Sequence, residues 1–372
     1  MPEQFNRKLN LLFIPSDNKG CGFYRMMVPA NEIKNRNLAD VIVSPTWDWK
    51  QAERADIIII QRAHDIGFYE AIEQAHALGK RVIFEIDDYV QAVSPTNPAF
   101  DFWSPFGPNL ARLLKIMKMC DAVQVSTPRL QKEYSLWNPR IEVLPNYLDS
   151  ALWDNPAWTA SHWEAYYKKK NDGIIRIGWS GAASHYEDLQ LIEEIITKLC
   201  RKYPNVHFCL EGYQGESSRG PNLFRDIAPA SSKCPVCEHG GQLEKIPGID
   251  LLYFPSRLRE CAFDIGIAPL IETGFNQCKS DLKIKEYAAL GIPVVATRML
   301  PYSDSVQEGD TGFLALTGKE WFDSLELLIN DKELRERLGK NNYQWYQQNT
   351  IDKHIHKWIS FYERVASVKY KW

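Results

Sequence analysis

The sequence predicts an α/β fold built from two domains of alternating strands and helices. Three observations carry this. Short apolar runs rich in β-branched residues alternate with helical segments, the signature of βαβ units. The alternation stops at an aromatic, charged stretch near residues 151–172 and restarts at Ile174. The chain also has 372 residues, more than one core ordinarily holds.

In the first half, Leu9 to Pro15 reads as a buried strand, followed by the loop SDNKGCGFYR from Ser16 to Arg25 and a helix from about Met26. Gly20 and Gly22 allow backbone N–H groups to approach a ligand, and Arg25 is placed to meet a phosphate or a carboxylate. A tight structural turn with a surface arginine fits the same residues. Further strands are expected at Val41–Ser44, Ile57–Gln61, Arg81–Ile86, Ala122–Ser126 and Ile141–Leu144, with helices at Phe68–Leu78, Leu110–Met119 and Arg129–Trp137. Ligands of parallel sheets collect at the carboxyl ends of strands, so His64 and the pair Asp87 and Asp88 fall on the expected functional edge. Adjacent aspartates also suit turns and caps. Residues 91–109, rich in proline and aromatics, read as a long irregular loop.

The stretch 151–172 is expected to pack between the domains. Beyond it, Ile174–Trp179 is a strand leading into the small-residue loop SGAASH, where Ser180, Gly181 and Ser184 offer hydroxyls and N–H groups to a phosphate. A helix is expected at Glu187–Tyr203, strands at Val206–Glu211, Leu251–Phe254 and Asp264–Pro269, and helices at Asp323–Ile329, Lys332–Gln348 and near the C-terminus. Cys234 and Cys237, with His239 nearby, form half of a zinc knuckle without a second C-x-x-C.

The most informative stretch is FNQCKSDLKIKEYAALGIPVV, Phe275–Val295. Ser280 is suited to cap a helix, Gly291 to end it and Pro293 to stop it before a strand. Helical spacing puts Lys283 and Glu286 on one stripe with Lys279 near its top. A helix N-terminus reinforced by two lysines suits a diphosphate, and Glu286, about 9 Å further along the axis, suits the two hydroxyls of a ribose. A solvated amphipathic helix would show the same charges.

Hydrophobic residues make up 45% and charged residues 24%, with a formal net charge of -3, so no global attraction to nucleic acid or an anionic membrane is expected. No apolar run is long enough to span a bilayer, and the eight cysteines are scattered as reduced thiols would be, so a cytoplasmic location is expected. The 12 tryptophans supply core filling or sugar-stacking surface.

Three segments resemble the family 4 glycosyltransferases: PNYLD at 145–149, IGWSGAASHYEDL after the restart, and KIKEYAALGIPVVATRMLPYSDSVQEGDTGFL. The resemblance implies a GT-B architecture of two Rossmann-like domains facing an interdomain cleft: an acceptor-side N-terminal domain (1–150), the aromatic linker (151–172), a nucleotide-sugar-binding domain (173–345) and a C-terminal helix (346–372) returning to the first domain. It implies that Glu286 holds the donor ribose, that Gly181 lies against the diphosphate and that Gly22 meets the donor from the other side. Asp87 or Asp88 stands where relatives place a histidine near the reacting sugar. The family's E-x(7)-E requires a glutamate where this chain has Cys278, and Lys279 and Lys283 are candidates to supply the missing charge.

The expected activity is transfer of a sugar from a nucleotide sugar, a UDP-sugar foremost, to a hydroxyl acceptor, with retention and without metal or other cofactor. Catalytic candidates are Asp87, Asp88 and Lys279; donor-binding candidates are Gly20, Gly22, Arg25, Ser180, Gly181, Lys279, Lys283 and Glu286. The acceptor is open among a glycan, a lipid-linked sugar, a protein and a modified nucleic-acid base. A GT-B sugar-nucleotide epimerase and a catalytically silent sugar- or partner-binding protein are the alternatives.

Overall fold

The computed structural model describes residues 7–154, 158–213, 223–229 and 241–367. Among these residues, twelve strands form two all-parallel six-stranded sheets. The first contains β1 (Asn10–Ile14), β2 (Asp40–Val43), β3 (Ile57–Gln61), β4 (Arg81–Ile86), β5 (Ala122–Val125) and β6 (Ile141–Val143), in the order β2-β1-β3-β4-β5-β6. The second contains β7 (Ile175–Ser180), β8 (Val206–Glu211), β9 (Leu243–Ile246), β10 (Ile265–Ala268), β11 (Val294–Thr297) and β12 (Gly312–Ala315), in the order β12-β11-β10-β7-β8-β9.

The central strands are apolar on both faces, as a sheet covered by helices on both sides requires: Ile57, Ile58, Ile59 and Ile60 of β3 are all fully buried. In each sheet the chain winds outward from a first strand, then returns to that strand's other side. The reversals lie between β1 and β3 and between β7 and β10. Loops leaving neighbouring strands diverge there, opening a crevice.

A buried ion pair fixes the start of the chain. The Arg25 guanidinium grips Glu85 of β4 through Nε at 2.7 Å and Nη2 at 2.9 Å, and its Nη1 donates to the Leu144 carbonyl and to Asn146. Arg25 is therefore spoken for by a protein carboxylate and corrects the donor-binding expectation. The helix carrying it also begins earlier than expected, at Gly20, passing through a π-helical turn at Phe23–Met27 into Val28–Asn35.

Other expectations are corrected in detail. Leu251–Phe254 leads into a helix at Phe254–Cys261 rather than forming a strand, while β9 and β12 add strands where none was expected. The Glu187–Tyr203 helix is broken into Tyr186–Gln190 and Glu193–Lys202. The linker helix Ala160–Lys170 buries none of its residues and lies against the second domain, where Lys169 donates to the Glu260 carbonyl and Lys170 pairs with Asp264 at 2.6 Å. The C-terminal helix His356–Ser367 packs on the first sheet, its Tyr362 hydroxyl donating to Gln124 at 3.1 Å and its ring edge-on to Phe13.

Replacing Arg25 with Met leaves the Glu85 carboxylate buried without a counter-charge. The variant is expected to lose about 3–5 kcal/mol in urea unfolding, and adding Glu85→Leu is expected to recover most of it.

Candidate functional site

The site in the second domain forms at the β7/β10 reversal. The helix Leu282–Ala289 aims Lys283 and Glu286 at the end of β7, where the chain leaves the sheet through Ser180 and Gly181. Lys283 donates to the Ser180 carbonyl and lies 4.7 Å from the Trp179 ring centre. Gly181 adopts φ +154°; a Cβ there would stand 2.6 Å from the Trp179 ring and 3.4 Å from the Lys283 amine, so only glycine lets the loop pass this close. Behind it, Asp188 ties two loops together, accepting from His185 at 2.7 Å, the Ile271 N–H at 2.9 Å and the Asn276 amide at 2.9 Å.

The first domain meets this site directly. The Tyr24 hydroxyl donates to Glu286 Oε1 at 3.0 Å across 262 residues of sequence separation. Asn146 donates to the Ser280 hydroxyl at 2.9 Å, and Thr127 to the Cys278 carbonyl at 3.0 Å. Between Ser94 of the first domain and Lys279 of the second lies a space of only about 20 Å3, room for about one water. The two domains are closed on each other here.

At the first domain's functional edge, Arg62, with φ +47°, bonds Asp87 at 2.6 Å, Asp88 at 2.7 Å and the Cys21 sulfur at 2.6 Å. Cys21, Asp87 and Asp88 converge closely enough to ligate a metal, but the guanidinium already provides the cation they surround. Burial pushes the Asp87 carboxyl up, yet the charges of Arg62 and Arg25 outweigh it and hold Asp87 below the usual carboxylate range.

Electrostatics in the second domain run the other way. Burial pushes Glu286 up to about 7 despite Lys283 and the Tyr24 hydroxyl. Glu211, at the end of β8, is also pushed up to about 7 by burial and by the charge of Glu286, and its Oε1 has no hydrogen-bond partner. Burial likewise pushes the His185 imidazole down to about 4 despite Asp188, and the Lys283 amine below its ordinary value. Two acids and a lysine thus interact where burial outweighs their mutual charges.

The structure gathers Ser180, Gly181, Lys283 and Glu286 at one point and places Lys279 at the domain boundary. Details differ from expectation. Ser280 caps nothing: Asp281 precedes the helix, held by Lys285 and by the Ser305 hydroxyl, and a separate short helix spans Gly274–Gln277. Lys279 therefore precedes the helix rather than lying on its stripe, with its amine 4.7 Å from the Phe275 ring centre. Ser180 has its hydroxyl buried without a partner. Gly22 is required by the chain itself, since a Cβ would meet the Asp17 carbonyl oxygen at 1.8 Å, whereas a Cβ at Gly20 would meet nothing within 4 Å. Tyr24, Glu211 and the His185–Asp188 pair were missed. Their signals were an aromatic directly after the glycine loop, an acid ending an apolar strand, and an i, i+3 pair in SHYED. Cys234, Cys237 and His239 lie outside the described residues.

A larger cavity of about 630 Å3 lies between the Ala160–Lys170 and Lys332–Gln347 helices, at the amino ends of β7, β10 and β11. Its position on the edge opposite the diverging loops sets it apart from the site.

Residues 282–345, which include Lys283 and Glu286, match the family model described as Glycosyl transferases group 1. A 58-residue stretch is 41% identical to the capsular polysaccharide biosynthesis glycosyltransferase CapM of Staphylococcus aureus, covering 15% of each chain. The whole chain superposes on HepE of Anabaena, solved with UDP and glucose, at TM-score 0.66 and 14% identity, covering 95% of this chain and 99% of that one. It also superposes on sucrose-phosphate synthase of Thermosynechococcus elongatus at TM-score 0.61 and 13% identity, covering 96% and 99% of the two chains. The catalytic domain of starch synthase IV of Arabidopsis thaliana, bound to ADP and acarbose, matches at TM-score 0.66 and 11% identity, over 97% and 100%. The fold is GT-B.

The raised Glu286 makes a pH prediction. Between the ordinary value of 4.5 and about 7 the folded chain binds the extra proton, so this contribution to stability is present at low pH and lost as pH rises through 7. Glu286→Gln should therefore gain about 2 kcal/mol on wild type between pH 5 and pH 8 in denaturant unfolding. His185 acts with the opposite sign, at lower pH, and cancels in the comparison. A difference independent of pH would show that Glu286 titrates normally.

Proposed function

We propose that the chain transfers a sugar from a nucleotide sugar, a UDP-sugar foremost, to a hydroxyl acceptor in the interdomain cleft. The observation carrying this reading is the convergence at the β7/β10 reversal of Glu286, Lys283 and the glycine turn at Gly181, with the other domain closing on Glu286. The group 1 match over residues 282–345, and HepE solved with UDP and glucose, support it.

In this reading the Glu286 carboxylate accepts from the ribose hydroxyls. Lys283, with Lys279 at the cleft boundary, balances the diphosphate as the sugar bond breaks, and Gly181 lets the backbone lie against it. Lys279 has no acidic partner among the described residues, so its charge is free for the departing diphosphate. Transfer with retention and without a metal ion follows the family resemblance. Asp87 and Asp88 act on the sugar side as a carboxylate pair neutralised by Arg62; Asp87→Asn is expected to lower turnover while sparing donor binding. Donor entry requires the domains to part, because the Tyr24 hydroxyl occupies a Glu286 oxygen in the closed chain.

A thermal-shift and calorimetric titration with UDP-, GDP- and ADP-glucose, followed by mass-spectrometric product analysis, tests this. One nucleotide sugar should stabilise the chain saturably, and Glu286→Ala should weaken it about tenfold or more through loss of charged hydrogen bonds worth about 1.5–3 kcal/mol. Lys283→Met and Lys279→Met should lower turnover more than affinity. No response to any nucleotide sugar would return the Leu282–Ala289 helix to a structural role.

A further inference from the structure

A second cavity, of about 480 Å3, opens over the first domain's own reversal, at the carboxyl ends of β1, β2 and β3. Its size falls inside the roughly 300–1,000 Å3 range of small-ligand sites. Trp47, Trp49 and Phe68 line it, the Trp47 ring standing edge-on to Trp49 at 5.5 Å and to Phe68 at 5.9 Å. The Trp47 indole N–H has no hydrogen-bond partner. Arg62 and Gln61 join this cavity to the cleft: both also bond Cys21, in the same turn that carries Tyr24 to Glu286.

We infer that this cavity binds the acceptor, and that the part it binds is an uncharged sugar ring; the inference rests on the transferase reading above. The place follows from topology, since the first domain's crevice faces the same cleft as the donor site. The chemistry follows from the walls. Aromatic rings match the C–H face of a pyranose, while Ser16, His64 and Asp65 among the lining residues suit its hydroxyls better than an alkyl chain. Charge selects among the acceptors. Among the lining residues the one permanent cation is Arg62, and it is consumed by Asp87 and Asp88. A phosphate-bearing acceptor, such as a lipid diphosphate or a nucleic acid, would meet Asp65 and this carboxylate pair with no free cation to receive it.

The test titrates the full chain, without donor, with neutral tetraoses of glucose, galactose and mannose and separately with a polyprenyl phosphate in detergent, following tryptophan fluorescence and heat. At least one neutral tetraose should bind saturably. Trp47→Ala and Phe68→Ala should each weaken it about tenfold, Trp47→Phe should retain most of the affinity, and none of the three should change the thermal shift given by UDP-glucose. Trp49→Ala serves where an alanine variant melts early. Tetraose binding unaltered by these variants, absence of tetraose binding, or binding of the polyprenyl phosphate alone overturns the inference. Tetraose binding lost in the variants, with no nucleotide sugar bound by wild type, would support the saccharide site while removing the transferase reading.

Discussion

The Arg25–Glu85 ion pair is the constraint on which the rest depends. A guanidinium 1% exposed inside a sheet of isoleucines and valines is tolerable only because every arm is engaged: Glu85 of β4, the Leu144 carbonyl and Asn146. Arg25 sits in the first helical segment, and its partners lie in the sheet and in the segment crossing to the second domain. Asn146 in turn reaches Ser280, and the π-helical turn that seats Arg25 also presents Tyr24 to Glu286. One buried charge thereby sets the position of two interdomain bonds. Loss of its geometry would be felt at the cleft before the sheets lost their register.

Legibility in the sequence tracked the range of the interaction. β3 holds four consecutive isoleucines and β4 the run Val82, Ile83 and Phe84, and strand assignment needed only local pattern. β9 and β12 are shorter, β9 carrying Glu244 and Lys245 and β12 opening on Gly312, and they become strands through pairing with β8 and β11, which no local signal announces. In the candidate site, Lys283 and Glu286 were legible because both ride one short helix. Arg25 misled because a basic residue after a glycine turn looks solvent-facing until Glu85, 60 residues away, is brought against it. Tyr24 was missed for the same reason at longer range, since the aromatic after the glycine loop does not reveal Glu286, 262 residues away. Ser280 fitted a cap by type, but Asp281 is the residue that precedes the helix.

The two domains treat carboxylates in opposite ways. Asp87 and Asp88 share a guanidinium, and Asp87 is held ionised. Glu211 and Glu286 share mainly burial and each other, with Lys283 too strained by its own burial to settle both, and each stands near 7. The first arrangement is a fixed field. The second is a reservoir in which a bound cation, anion or hydroxyl changes the protonation state, because the free energy separating the two states is small.

That contrast bears on how the cleft would work. Glu286 is both the group the proposed donor requires and the group by which the first domain holds the second shut. A carboxylate has two oxygens, and Tyr24 engages only Oε1, so closure over a bound ribose is compatible with the phenol contact provided the donor takes the other oxygen. The unliganded chain is then closed by the same contact that would close it on substrate. Opening must break the Tyr24, Asn146 and Thr127 bonds together, whereas reclosing restores them whether or not a donor has entered. Selectivity must therefore come from the charge and hydroxyl complementarity of the β7/β10 crevice, not from closure itself.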